Sequence, residues 1–148
     1  MVGELPASLT QYANTLNIPG TNILFTGLVS YEQVAHMLKQ SHAMIMFSRF
    51  ENLPCVIIEA LCCGLPVIST DVGGIPEIIN QSNGMLINNE DEDALCNAMK
   101  QLYSNYKSYT RKATAKNAQE KFSYTTVGKQ ITEVYSKIIF SNSETQVK

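Results

Sequence analysis

Ala43-Met44-Ile45-Met46-Phe47, a loop from Ser48 to Leu53, Pro54-Cys55-Val56-Ile57-Ile58-Glu59-Ala60-Leu61-Cys62-Cys63, Gly64-Leu65 and Pro66-Val67-Ile68-Ser69 follow one another without a break. They read as strand, loop, helix, turn, strand. The first run is apolar at every position, which suits a parallel strand covered on both faces. Pro54 fits a first helical turn, where its missing N–H costs nothing. Gly64 can end the helix in a left-handed conformation, and Pro66 prevents continuation. A helix between two such strands is the crossover of a parallel sheet.

The same alternation extends in both directions. Upstream, Val2-Gly3-Glu4-Leu5-Pro6 reads as the end of a strand and a turn. Ser8 to Leu16 is predicted to be a short helix with Leu9, Tyr12, Ala13 and Leu16 on one face, and Asn17-Ile18-Pro19-Gly20 a turn. Asn22 to Thr26 is expected to be a strand ending at Gly27. Ser30 and Gln33 have the spacing of a capping box, opening a helix to Gln40 with Val34, Ala35, Met37 and Leu38 inward. Downstream, Thr70 to Gly74 is a loop, Ile75 to Asn80 a short helix and Gly84 to Ile87 a strand. Asp91 to Tyr106 is predicted to be an amphipathic helix, with Leu95, Met99 and Leu102 inward and Asp91, Glu92 and Asp93 at its positive end. Two more helices, 109–121 and 125–140, precede a polar tail expected to be disordered over 141–148. The fold class is therefore α/β: a Rossmann-like open parallel sheet with helices on both faces, forming one domain over residues 1–140.

Composition narrows the function classes. The chain has 148 residues, 45% of them hydrophobic and 16% charged, which is globular and not disordered. A net charge of -2 with no basic stripe argues against nucleic acid as a partner. Cys55, Cys62, Cys63 and Cys96 have neither zinc nor redox spacing and are expected to be reduced, small and buried. His36 and His42 make no metal site. No apolar run approaches the roughly 20 residues of a membrane span. Gly73-Gly74 lacks the spacing of a dinucleotide fingerprint and reads as a turn.

Seven residues separate Glu51 from Glu59, and Glu59 lies inside an apolar run. Such a carboxylate either reaches water or holds something polar. In an open parallel sheet the ligand crevice lies beyond the carboxyl ends of the strands. Three loops are expected there: Gly27-Leu28-Val29, Ser48 to Leu53, and Thr70 to Gly74. The helix starting at Pro54 would aim free N–H groups at the crevice, a place for phosphate. Carboxylates set back from that phosphate would accept hydrogen bonds from neutral hydroxyls. A nucleotide sugar has this layout, with Glu59 on ribose, Glu51 on the sugar, and the N–H groups of Leu53 to Val56 on the diphosphate. Taken singly, Glu59 also reads as a half-exposed helix residue and Glu51 as a solvated loop charge.

Ser48, Glu51-Asn52-Leu53-Pro54, Ile58-Glu59-Ala60, Cys63-Gly64-Leu65-Pro66-Val67-Ile68-Ser69-Thr70-Asp71 and Gly73-Gly74-Ile75-Pro76-Glu77 together resemble the retaining, nucleotide-sugar-dependent glycosyltransferases of family 4. Their fold is GT-B, two Rossmann domains. The resemblance implies that Glu51 is the catalytic-site carboxylate touching the donor sugar. It implies donor binding by Glu59, Asn52, Leu53, Pro54, Cys55, Val56, Ser48, Gly27, Leu28 and Val29. It implies no metal and no cofactor beyond a UDP- or GDP-linked sugar as co-substrate. The full-length enzyme would pass that sugar to a glycan or lipid-linked acceptor, in the cytoplasm or peripherally at the inner face of the membrane.

The family's diphosphate-neutralising Arg and Lys have no counterpart, since no Arg or Lys precedes Lys39. Cys55 replaces a more usual Asn or Phe. The chain is thus expected to be an N-terminally truncated C-terminal donor-binding half, with little activity alone. In the family the last helices cross back to the missing domain; here they are expected to fold against their own sheet or a second chain, or to leave an apolar face exposed. The rival readings are an epimerase or hydrolase of the same fold and a non-catalytic doubly wound binding module.

Overall fold

The computed structural model describes residues 7–16 and 22–143. By contact the chain separates into two units, 1–40 and 41–148. The expected strand end at Val2 to Pro6 and the turn at Asn17 to Gly20 lie outside the described residues.

Among the described residues the first unit holds the helices α1 (Ala7–Thr15) and α2 (Tyr31–Gln40). On α1, Leu9 and Ala13 are half-buried, while Tyr12 and Leu16 are exposed. The capping box ahead of α2 forms in both directions. The Ser30 N–H donates to Gln33 Oε1 at 2.8 Å, and the Gln33 N–H donates to Ser30 Oγ at 3.3 Å. Among the described residues no strand ladder includes the segment 22–26, where the sequence predicts a strand, and Leu24 is exposed.

The second unit carries an open parallel sheet. Its strands are β1 (Met44–Met46), β2 (Val67–Thr70) and β3 (Gly84–Ile87), in the order β1-β2-β3. Ile45 stands beside Ile68, and Ser69 beside Leu86. β2 is the centre and is buried at every position. Successive side chains of a strand point to opposite faces. On one face Ile68 packs with Ile87 and with Ala98 and Leu102 of α4 (Glu92–Asn105). On the other, α3 (Cys55–Cys62) buries Ile57, Ala60 and Leu61 completely. Beyond α4, α5 (Arg111–Phe122) packs along α3, and α6 (Tyr124–Ser143) follows it.

Several local expectations are corrected. On α4 the inward residues are Leu95, Ala98 and Leu102, and Met99 is 46% exposed. The inner stripe takes the i, i+3, i+7 positions, and the small Ala98 lets the helix sit close to Ile68. The segment after Gly74 is a single 3-10 turn, Ile75–Glu77, rather than a helix to Asn80. Its purpose is burial, since Ile75, Ile78 and Ile79 all enter the core. The thiols are less buried than expected: Cys55 and Cys96 are exposed, Cys62 and Cys63 half-buried, and all four are free. α6 runs to Ser143, into the polar tail.

The end of α3 forms as the sequence suggests. Gly64 has φ +78, its N–H donates to the Leu61 carbonyl at 2.9 Å, and the Leu65 N–H donates to the Ala60 carbonyl at 3.0 Å. These two bonds are a Schellman closure. α5 completes it. Arg111 donates to the Cys63 carbonyl at 3.1 Å and to the Ser41 carbonyl at 3.0 Å, and Gln119 donates to the Cys62 carbonyl at 3.1 Å.

Candidate functional site

The loops that leave the carboxyl ends of β1, β2 and β3 lie side by side because the strands are parallel and adjacent. The loop after β1 carries Glu51, half-buried. Its backbone is gripped from both neighbouring loops. Thr70, fully buried at the end of β2, donates its hydroxyl to the Ser48 carbonyl at 2.7 Å. The Gly74 N–H donates to the Asn52 carbonyl at 2.6 Å. From the β3 side, Asn89 Nδ2 reaches the Arg49 carbonyl at 3.4 Å, and Arg49 Nε pairs with Glu90 at 2.8 Å. Glu90 holds φ +60 to make that approach. Among the described residues no hydrogen bond or ion pair engages the Glu51 carboxylate.

α3 begins at the end of this loop. Pro54 is its N-cap and supplies no side-chain cap. The Ile57 N–H turns back to the Pro54 carbonyl at 3.1 Å. The N–H groups of Cys55 and Val56 are those that a helix start leaves without an intrahelical acceptor. Glu59 is in the middle of α3 and half-buried, one position before the fully buried Ala60. Its carboxylate lies close enough to Cys62 for its charge to be felt there. Burial, first, then Cys63 and Glu59, push the Cys62 thiol above its ordinary value.

Of the expected site residues, Ser48, Glu51, Asn52, Leu53, Pro54, Cys55, Val56 and Glu59 all fall on this one loop and helix of the second unit. Gly27, Leu28 and Val29 belong to the first unit. There Gly27 has φ +64, Leu28 is exposed and Val29 half-buried. Sequence reasoning missed Thr70, Asn89 and Glu90, which hold the loop. It read Gly73-Gly74 as a simple turn, although two glycines facing a polar loop across adjacent strands are a sign of close backbone approach. A separate groove of about 820 Å³ lies between β1 and α4, lined by Ile45, Ile68, Met99 and Tyr103. Its lining is mostly apolar, with His42, Ser104 and Lys107 beside it and no carboxylate, so it is not the crevice at the strand ends. Among the described residues no group of three or more His, Cys, Asp or Glu is placed to hold a metal.

A family model, glycosyl transferases group 1, matches residues 1–121. The chain belongs to that family. It is 36% identical over 85 residues to N-acetyl-alpha-D-glucosaminyl L-malate synthase of Bacillus anthracis, covering 56% of this chain and 22% of the relative. It is 30% identical over 140 residues to an uncharacterized glycosyltransferase of Methanocaldococcus jannaschii, covering 92% of this chain and 39% of that one. With the Vi polysaccharide biosynthesis protein VipC/TviE of Salmonella typhi it shares 35% over 112 residues, covering 73% of this chain and 19% of the relative. The chain thus spans well under half the length of these family members. Among solved structures, sucrose-phosphate synthase from Thermosynechococcus elongatus superposes with TM-score 0.81 at 23% identity, over 95% of this chain and 38% of the other. Anabaena HepE in complex with UDP superposes with TM-score 0.72 at 22% identity, over 92% and 40%. These likenesses establish the fold, one Rossmann-like half of the GT-B type.

Proposed function

We propose that this chain is the donor-binding, C-terminal half of a retaining glycosyltransferase. The observation that carries the reading is the loop after β1. Its backbone is fixed by the two neighbouring loops, while the Glu51 carboxylate and the uncapped start of α3 stay open to a ligand. In this reading the first N–H groups of α3 and the positive end of its dipole take the diphosphate of a nucleotide sugar. Glu59 accepts hydrogen bonds from the ribose hydroxyls, and Glu51 takes hydroxyls of the transferred sugar. No metal takes part: the leaving diphosphate is stabilised by backbone dipoles and by cations from elsewhere in the full-length protein.

The acceptor is a glycan or lipid-linked saccharide held by the other half. α6 supports the existence of a covering surface, since Val127, Ile131, Val134, Tyr135 and Ile138 are all exposed along it. That surface is the acceptor domain or, in the isolated chain, a second copy. On this reading the full-length enzyme works in the cytoplasm, either free or at the inner face of the membrane. Among the described residues no helix is long and apolar enough to cross one.

Calorimetry on the chain with UDP, GDP and ADP tests the reading. One of the first two is expected to bind. Glu59→Ala is expected to cost roughly 1.5–3 kcal/mol of that affinity, the worth of hydrogen bonds to a charged group. Unchanged binding in Glu59→Ala would remove the ribose role and favour a doubly wound module with its ligand elsewhere.

A further inference from the structure

We propose that Gly73 is a positioning residue for Glu51, a role that rests on the donor-site reading above. Gly73 has φ +56, and a Cβ built on it would overlap the Glu51 carbonyl oxygen. The same Cβ would stand 2.8 Å from the Glu51 carbonyl carbon and 2.9 Å from the Asn52 carbonyl oxygen. All three atoms are backbone, so no side-chain rotation can relieve the clash. Gly74 holds the next peptide, through its N–H on the Asn52 carbonyl.

The bonds at Ser48 and Arg49 fix the loop before Glu51, and the bond at Asn52 fixes it after. Among the described residues no hydrogen bond is made at the Glu51 carbonyl, which sits where a Cβ on Gly73 would stand. The Glu51 carboxylate swings from that backbone, so the position of the peptide sets the volume that the carboxylate can reach. A side chain at position 73 pushes that peptide outward and carries the carboxylate off its target. Misplacing a ligand-facing group by about 1 Å is enough to lose most of its contribution.

A positive φ alone makes a weaker demand, which Asn meets tolerably. The two demands separate in experiment. The probes are UDP-glucose, UDP-N-acetylglucosamine and GDP-mannose, each measured by calorimetry against its own nucleoside diphosphate on the whole chain. The tightest pair is then measured in Gly73→Ala, in Gly73→Asn, in Glu51→Ala, and in each glycine variant combined with Glu51→Ala. Gly73→Ala and Gly73→Asn are both expected to erase the extra affinity that the sugar confers, about tenfold or more. They are expected to cost the nucleoside diphosphate less than they cost the sugar increment, and to add no further loss of that increment when Glu51 is already Ala. Equal losses in the two backgrounds would overturn the proposal and leave the donor site standing.

Failure of the wild-type chain to bind any probe would instead count against the donor site. The contact is then decided by amide NMR spectra. In Gly73→Ala the signals of Glu51, Asn52 and Leu53 are expected to move while those of Leu61 and Ile68 stay. Unmoved signals at 51–53 would overturn the proposal. Should Gly73→Ala not fold, Gly74→Ala carries both measurements, since its Cβ meets the Asn52 carbonyl oxygen at 2.9 Å and otherwise the adjustable Leu53 side chain.

Discussion

At its C-terminal end α3 is closed by two backbone bonds through Gly64 and Leu65, and by Arg111 and Gln119 reaching across from α5. At its N-terminal end the cap is a proline with no side-chain bond, and the preceding loop is held by its carbonyls while its carboxylate stays open. One end spends its polar groups inside the protein and the other leaves them open. On the proposed donor-site reading, stability and recognition are separated along a single short helix. Substitutions at the two ends should fail in different assays.

The largest effect is expected at the closed end. Gly64→Ala must adopt φ +78, and its new Cβ would lie 2.5 Å from the Arg111 carbonyl oxygen. Left-handed strain and overpacking against backbone together should cost about 3 kcal/mol. Urea unfolding should show the midpoint fall at constant slope. A loss under about 1 kcal/mol would mean that α3 and α5 are not braced at this point.

Smaller effects are expected where the Glu51 loop is held. Thr70→Val keeps the shape but strips the Ser48 carbonyl of its donor, for about 1–2 kcal/mol. Arg49→Ala removes an exposed pair with Glu90 and should cost less than about 0.5 kcal/mol. The same unfolding assay ranks them. If Arg49→Ala proved the costlier, the loop would be held by its surface charges and not by its backbone.

The elements of the second unit were legible because each is written locally. Apolar runs at 43–47 and 66–69, Pro54, Gly64 and Asp91 mark their strands, starts and stops without help from distant residues. Asp91 does cap α4, accepting from the Ala94 N–H at 2.7 Å. The Glu51 to Glu59 spacing was legible for the same reason: one loop and one helix carry both. The grips were not legible. Thr70 to Ser48, Asn89 to Arg49 and Arg111 to Ser41 join residues far apart in sequence, and no local pattern records which carbonyl a side chain will find. Met99 was read inward because a large apolar residue outweighs alanine in any periodic pattern. The packing chose Ala98 because α4 comes close to the sheet.

The smallest expected effect ties the middle of α3 to its last turn. Cys62, in its last turn, has a thiol raised above 9.0 by burial first, then by Cys63 and by Glu59. Raising a thiol's value on folding means that the folded chain resists the thiolate. The stability this preserves is full below about pH 9, where folded and unfolded chains both keep the proton, and it is lost as pH climbs through the folded value. Melting curves should therefore fall more steeply above pH 9 for the wild type than for Cys62→Ala. Iodoacetamide should reach Cys62 more slowly than the exposed Cys55. Because Glu59 is one source of the shift, Glu59→Gln should speed alkylation at Cys62 at a fixed pH, in a chain whose other cysteines are Ser. An unchanged rate would mean that the Glu59 carboxylate points away from Cys62.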